Sequence, residues 1–305
     1  MCYTKKKAMG ADNMSIDALR DKIRKTKNPS VLELGMSAKD IPPQILESAD
    51  STAAALGFYC QELLVELKGL IPAVRIRFGE FALLGPDGIS QLQHVLHAAR
   101  ENQYYVLLEA PELLNVASAE NAAESLMADS GAYPCDGVII SGYMGSDVLK
   151  PFLPYCKKGG KTLFAVCRTG NKSAPELQDL LAGTRLVHIA AADHVNRYTA
   201  GTMGKCGYSC LGLLAAASSA QSLRELRGKY PQLFLLVDGY DYPNANAKNC
   251  SFAFDKLGCG GAVCAGSSIY GAWQQEGENS AHYLESAKAS AERMRKNLTR
   301  YVSVL

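Results

Sequence analysis

The chain has 305 residues, 48% hydrophobic and 20% charged, with 32 Lys and Arg against 30 Asp and Glu. This size and apolar content suit one large α/β domain, and no Pro- or Ser-rich linker divides it. The net charge of +2, with both signs interspersed, offers no electrostatic basis for a nucleic-acid or membrane-surface partner and leaves a small soluble ligand as the expectation.

The ten cysteines do not form the dense framework of a secreted miniprotein; many sit in apolar runs such as Leu163-Phe164-Ala165-Val166-Cys167 and read as reduced core residues. Lys5-Lys6-Lys7 precedes no apolar segment, and no later apolar run approaches membrane-spanning length, so a cytoplasmic protein is expected. A helix start is signalled first at Ser15-Ile16-Asp17, which makes residues 1–13 a disordered extension and residues 14–305 the domain.

From there, apolar runs of strand length alternate with amphipathic segments. Strands are predicted at 31–34, 73–76, 104–108, 137–140, 162–166, 210–215, 234–237 and 261–265. Helices are predicted over 52–67, 89–99, 119–127, 146–156, 222–228 and 247–255, with a long final helix over 283–301. The run 186–192 is apolar enough for a strand, but its alanines and its continuation through Val195 and Tyr198 favour a helix. Eight βα units result, the number that closes a (β/α)8 TIM barrel. The third strand ends on Glu109-Ala110-Pro111, where a proline stops the ladder at the end that carries chemistry in such barrels.

Several segments together resemble the longer-chain bacterial branch of the orotidine 5'-phosphate decarboxylase family. They are Asp136-Gly137-Val138-Ile139-Ile140-Ser141-Gly142-Tyr143-Met144-Gly145-Ser146-Asp147 with Pro151-Phe152, and Arg168-Thr169-Gly170-Asn171-Lys172-Ser173-Ala174 with Gln178-Asp179. Residues 74–88, Gly207-Tyr208-Ser209 and Gly239-Tyr240 support them. The resemblance implies a TIM-barrel homodimer of pyrimidine biosynthesis, a lyase that works without cofactor or metal through alternating lysines and aspartates. Such chemistry rests on charges fixed in a dry site.

At the positions the resemblance assigns to that array stand Arg75, Glu109, Pro111 and Leu114, and neither proline nor leucine transfers a proton. Substrate positions are altered as well. Gly35 stands for a ribose-binding Asp, Ser141 for an Asn, Gly170 for a Ser, Pro243 for a Gln and Ser267 for a phosphate-clamping Arg, whose bidentate fork serine cannot imitate.

Strand parity puts Arg75 and Arg77 on one face and Glu33 on the matching face of the first strand, with Glu109 inward on the third. These residues make either a remodelled site for an ionic ligand or a structural ion network filling old substrate space. Gly239 and Tyr240, with Gly266, Ser267 and Ser268, follow strands seven and eight, where barrels of this type hold phosphate. The plainer reading is that the glycines turn the chain. Arg168 and Asn171 are expected to brace the loop after strand five.

Cys206-x-x-x-Cys210 lacks a second ligand pair and is not read as a metal site. Gly258-x-Gly260-Gly261 precedes a strand, so it is not a dinucleotide fingerprint. The histidines at 94, 97, 188, 194 and 282 fall in helical segments, and Cys167 sits within a strand. The leading expectation is a barrel that has lost decarboxylation and binds a nucleotide or other small phosphorylated or anionic metabolite, as a pseudoenzyme or regulator. The alternatives are changed acid/base chemistry at Glu109 or Glu112, or a working decarboxylase with an unrecognised proton donor.

Overall fold

The computed structural model of the chain describes residues 15–158, 160–243, 245–275 and 280–304, so the extension expected over 1–13 lies outside the described residues. Eight parallel strands form a closed barrel: β1 (Ser30–Leu34), β2 (Ala73–Arg77), β3 (Tyr105–Glu109), β4 (Gly137–Ser141), β5 (Thr162–Arg168), β6 (Leu211–Ala216), β7 (Phe234–Asp238) and β8 (Gly261–Ala265). They follow one another around the barrel in chain order, and β8 closes onto β1 with Val263 opposite Ser30. β3, β6, β7 and β8 are buried along their whole length, covered inside by the barrel core and outside by helices. That is why they read as unbroken apolar runs rather than alternating ones.

The N-terminal end of the barrel is sealed by the helix Ser15–Thr26. Ser15 Oγ bonds Tyr105 Oη at 2.8 Å at the start of β3, and Asp17 accepts the Cys206 N–H at 2.8 Å ahead of β6. Inside, the rings of Phe164 and Phe234 meet edge to face at 6.0 Å. A Cβ on Gly212 would lie 2.5 Å from the Phe164 ring, so only glycine leaves β6 room beside it. With this end packed solid, the charged residues are left to the opposite mouth.

The predicted elements shift in a few places, each with a local cause. Residues 146–156 form Ser146–Leu149, a 3-10 turn Lys150–Phe152 and Leu153–Lys157 rather than one helix, because Pro151 and Pro154 lack the N–H that a continuous ladder needs. The helix Val187–Asn196 replaces the ambiguous run, while Leu186 pairs with Leu181 in a small antiparallel hairpin. Residues 247–255 are helical only over Ala247–Ser251. β3 includes Glu109 and starts after Tyr104, and β7 runs one residue past its predicted end to include Asp238.

Candidate active site

Four strands deliver charge to the C-terminal mouth. Glu33 on β1 lies level with Arg75 on β2, and Arg77 lies level with Glu109 on β3. Asp238 ends β7, level with Ala216. Arg75 is 3% exposed and sits at the centre: Nε donates to Glu109 Oε2 at 2.9 Å, Nη1 donates to Glu33 Oε2 at 2.9 Å, and Nη1 also bonds Asp238 Oδ1. Arg77 is the outer cation, with Nε 3.5 Å from Glu109 Oε2 and Nη1 3.6 Å from Glu33 Oε1 and 3.9 Å from Glu80 Oε1.

Three carboxylates therefore share two guanidiniums in a largely dry space. Burial opposes the charge on Arg75, but Asp238, Glu33 and Glu109 together outweigh it and hold its pKa well above the ordinary value. Burial, reinforced by Asp238 and Glu109, pushes the Glu33 carboxyl up to about 6 despite the pull of Arg75 and Arg77. Glu33 thus takes up a proton at a higher pH than an ordinary glutamate.

Above the cluster lies a cavity of about 150 Å³, walled by the five charged residues together with Thr169, Gly170, Asn171 and Tyr242. The Tyr242 ring lies across its edge. A Cβ on Gly170 would fall 2.1 Å from that ring, and one on Gly239, where φ is +71°, 2.2 Å from it. Asp238, then burial, pushes the Tyr242 phenol up to about 12.

Of the residues singled out in the sequence, Glu33, Arg75, Arg77, Glu109 and Asn171 come together at the mouth. Asn171 is held there by Thr169 Oγ1, which donates to its Oδ1 at 2.6 Å. Asp238 is a member that the sequence reading missed. The available signal was parity, since an Asp two residues beyond Leu236 continues the same face at the strand's functional end.

Other expected residues lie elsewhere. Ser141 Oγ accepts the Tyr143 N–H at 3.3 Å and does not line the cavity. Arg168 is buried, braced on Asp179 at 3.0 Å and on the Thr169 carbonyl at 2.7 Å; a register shift between Val166 and Arg168 separates it from the cavity-lining Val166. Tyr240 lines a separate groove of about 460 Å³ with Lys248, Asn297 and Arg300.

In the β8 loop, the Gly266 N–H donates to Asp241 Oδ2 at 2.8 Å and Ser267 Oγ reaches the same oxygen at 3.4 Å, while the Ser268 carbonyl accepts from Ser290 Oγ. Gly239 turns the chain beside the Tyr242 ring. Pro111 heads a 3-10 turn, Pro111–Leu113, and Leu114 is buried in the hydrophobic core. Glu112 stands over Gly79, outside the cavity.

The nine cysteines among the described residues are free, and burial pushes the Cys167 thiol up to about 12, unsuited to a nucleophile. Among the described residues, no group of three or more His, Cys, Asp and Glu is placed to hold a metal ion, and no helix is long and apolar enough to cross a membrane.

Comparison with known proteins places these features in context. A family model described as "Orotidine 5'-phosphate decarboxylase / HUMPS family" matches residues 119–278, more than half of the chain. The matched span begins after β3, so Glu33, Arg75, Arg77 and Glu109 lie outside it. Orotidine 5'-phosphate decarboxylase of Clostridium kluyveri is 26% identical over 287 residues, covering 93% of this chain and 97% of its own. That of Rhodopirellula baltica is 26% identical over 263 residues, covering 83% and 87%. The solved structure of Leishmania donovani OMP decarboxylase superposes with a TM-score of 0.74 at 21% identity, covering 94% of this chain and 98% of that one, a likeness of fold.

Proposed function

Since the chain belongs to the orotidine 5'-phosphate decarboxylase / HUMPS family, we propose that its mouth is a small-ligand site in which the decarboxylation of orotidine 5'-phosphate has been lost. The observation that carries this reading is the lining of the cavity, which among the described residues contains no lysine and in which Glu109 is engaged by both Arg75 and Arg77. Protonating a carbanion needs an acid within hydrogen-bond reach of the carbon. Arginine is a poor donor of that kind because its pKa exceeds about 12. The positions where the resemblance puts the proton donor and its charged neighbour are a proline in a tight turn and a core leucine.

The cluster has chemistry of its own. An enclosed guanidinium bound by carboxylates from three strands is a rigid, pre-paid electrostatic frame, and ligand polar groups meeting it face little reorganisation. Growth of a bacterial strain that lacks its own decarboxylase, supplied with this protein and no uracil, tests the reading. No growth is expected, although immunoblotting shows soluble protein; growth at a normal rate contradicts it.

A second reading rests on Glu33. A carboxyl that titrates near 6 beside a bound ligand is placed to act as a general acid or base, which would make the protein an enzyme of changed chemistry. Glu33 is better suited to that role than Glu112, which stands outside the cavity.

A further inference from the structure

The Tyr242 ring is seated between two loops that both carry glycine where they meet it. A Cβ on Gly170, in the β5 loop, would fall 2.1 Å from the ring, and one on Gly239, just after β7, 2.2 Å from it. Gly239 has a φ of +71° and favours glycine in any case. Gly170 has no positive φ, so there the room left for the ring is the local reason for glycine. The turn that presents the ring is tied on both sides: the Tyr242 N–H donates to the Gly239 carbonyl at 3.0 Å, and the Ala245 N–H donates to the Tyr242 carbonyl at 3.0 Å.

The cavity that remains beside the ring measures about 150 Å³. Pockets for drug-sized ligands run from about 300 Å³ upward, so a ligand with a ring of its own competes with Tyr242 for room. The polar wall favours donors. Glu109 Oε2 and Asp238 Oδ1 are held by Arg75, but Glu109 Oε1 and Asp238 Oδ2 accept no hydrogen bond among the described residues. Of the neutral groups, Thr169 Oγ1 already donates to Asn171 Oδ1 at 2.6 Å, and Asn171 Nδ2 to Ser173 Oγ at 2.9 Å. The three carboxylates of the lining outnumber its two guanidiniums, so a cationic donor complements it better than an anion does.

We infer that Tyr242 is a specificity-determining residue of the mouth, whose ring shuts out ring-bearing ligands and leaves room for a small, ring-free cation with hydrogen-bond donors. The inference rests on the proposed small-ligand role of the same mouth and names the class of ligand. The ring acts by occupying space, and the spare carboxylate oxygens supply the acceptors.

The test titrates acetamidine and benzamidine, which carry the same amidinium and differ by a ring, into isotopically labelled protein and follows the Gly170 amide resonance. In the wild type, acetamidine should give a saturable shift at millimolar concentration, and benzamidine should bind at least about tenfold more weakly, the scale of a steric misfit in a packed wall. Tyr242→Ala should tighten benzamidine by at least about tenfold and change acetamidine much less. Tyr242→Phe keeps the ring without its hydroxyl and should exclude benzamidine as the wild type does. Tyr242→Leu, which also removes the ring, gives a reading if the alanine variant folds poorly.

Equal affinity of the wild type for the two amidines, or a benzamidine affinity that neither Tyr242→Ala nor Tyr242→Leu raises, overturns the role of Tyr242. Failure of acetamidine to bind the wild type overturns the ligand class and with it the inference. The proposed loss of decarboxylation fails separately, by release of carbon dioxide from orotidine 5'-phosphate, and stands if the amidine results alone go against expectation.

Discussion

Arg75 Nε reaches Glu109 Oε2 at 2.9 Å across a diagonal of the β2–β3 ladder, whereas Arg77, directly level with Glu109, approaches the same oxygen only to 3.5 Å. The reason is position along the inward face. Arg75 starts one pleat deeper and extends up the barrel to the carboxylates, while the Arg77 side chain is 43% exposed and leaves for solvent. Depth, rather than register, decides which cation holds the mouth together.

Arg75→Met should therefore be costly, about 3–5 kcal/mol by denaturant unfolding, because it removes the buried cation that three largely buried carboxylates share. Arg77→Met should cost no more than about 1 kcal/mol, as expected of an exposed ion pair. Adding Glu109→Leu to Arg75→Met should restore only part of the loss, since Asp238 loses its cation and Glu33 keeps only the outer Arg77 at 3.6 Å. Full recovery in that double variant would show that the pair acts alone.

Four members of this network, Glu33, Arg75, Arg77 and Glu109, were legible strand by strand in the sequence. Period-two parity places Arg75, Arg77, Glu33 and Glu109 on the inner face, and the alternation of strands and helices fixes the barrel, because both follow from local backbone geometry. Asp238 carries the same parity signal but is harder to place, and Asp241 was not legible in that way. Asp238 sits one residue past an apolar run, where a strand end is hardest to place, and Asp241 depends on how the β7 loop folds back over β8, a contact between distant segments. The prolines at 151 and 154 were in view, yet their effect depended on the chain continuing as 3-10 turn and helix rather than loop.

Glu33→Gln should stabilise the protein at neutral pH. The folded-state pKa of Glu33 is raised, so the folded state binds more protons than the unfolded chain between the ordinary glutamate range and about 6. Wild-type stability then falls as pH rises through that window, by up to about 2 kcal/mol for a shift of this size. Glutamine imitates the protonated form and lacks the effect. Denaturant melts should show the variant ahead at pH 7 and the two proteins converging towards pH 4; a constant gap would mean that Glu33 does not titrate as described.

Gly170→Ala should push the Tyr242 ring aside, since the added Cβ would fall 2.1 Å from it. A loss of about 1–3 kcal/mol is expected from such overpacking. Removing the ring with Tyr242→Ala should abolish most of the penalty of the second change, giving a clear coupling in a double-mutant cycle. Additive effects would place the ring elsewhere in solution.

Arg168→Met should act at a distance from the mouth, because this guanidinium ties the β5 loop through Asp179 and the Thr169 carbonyl. Amide exchange in residues 169–180 should speed up while that of β2 and β3 is unchanged. Equal acceleration in both regions would mean that Arg168 supports the barrel as a whole.

The proposed loss of decarboxylation is tested most directly by carbon dioxide release from carboxyl-labelled orotidine 5'-phosphate, using protein purified from a host without its own decarboxylase. The account predicts release indistinguishable from the buffer blank, for the wild type and for Glu109→Gln alike. Release above the blank that disappears in Glu109→Gln would contradict it, and would show that this cluster of arginines and carboxylates carries the reaction without a lysine among the described residues of its lining.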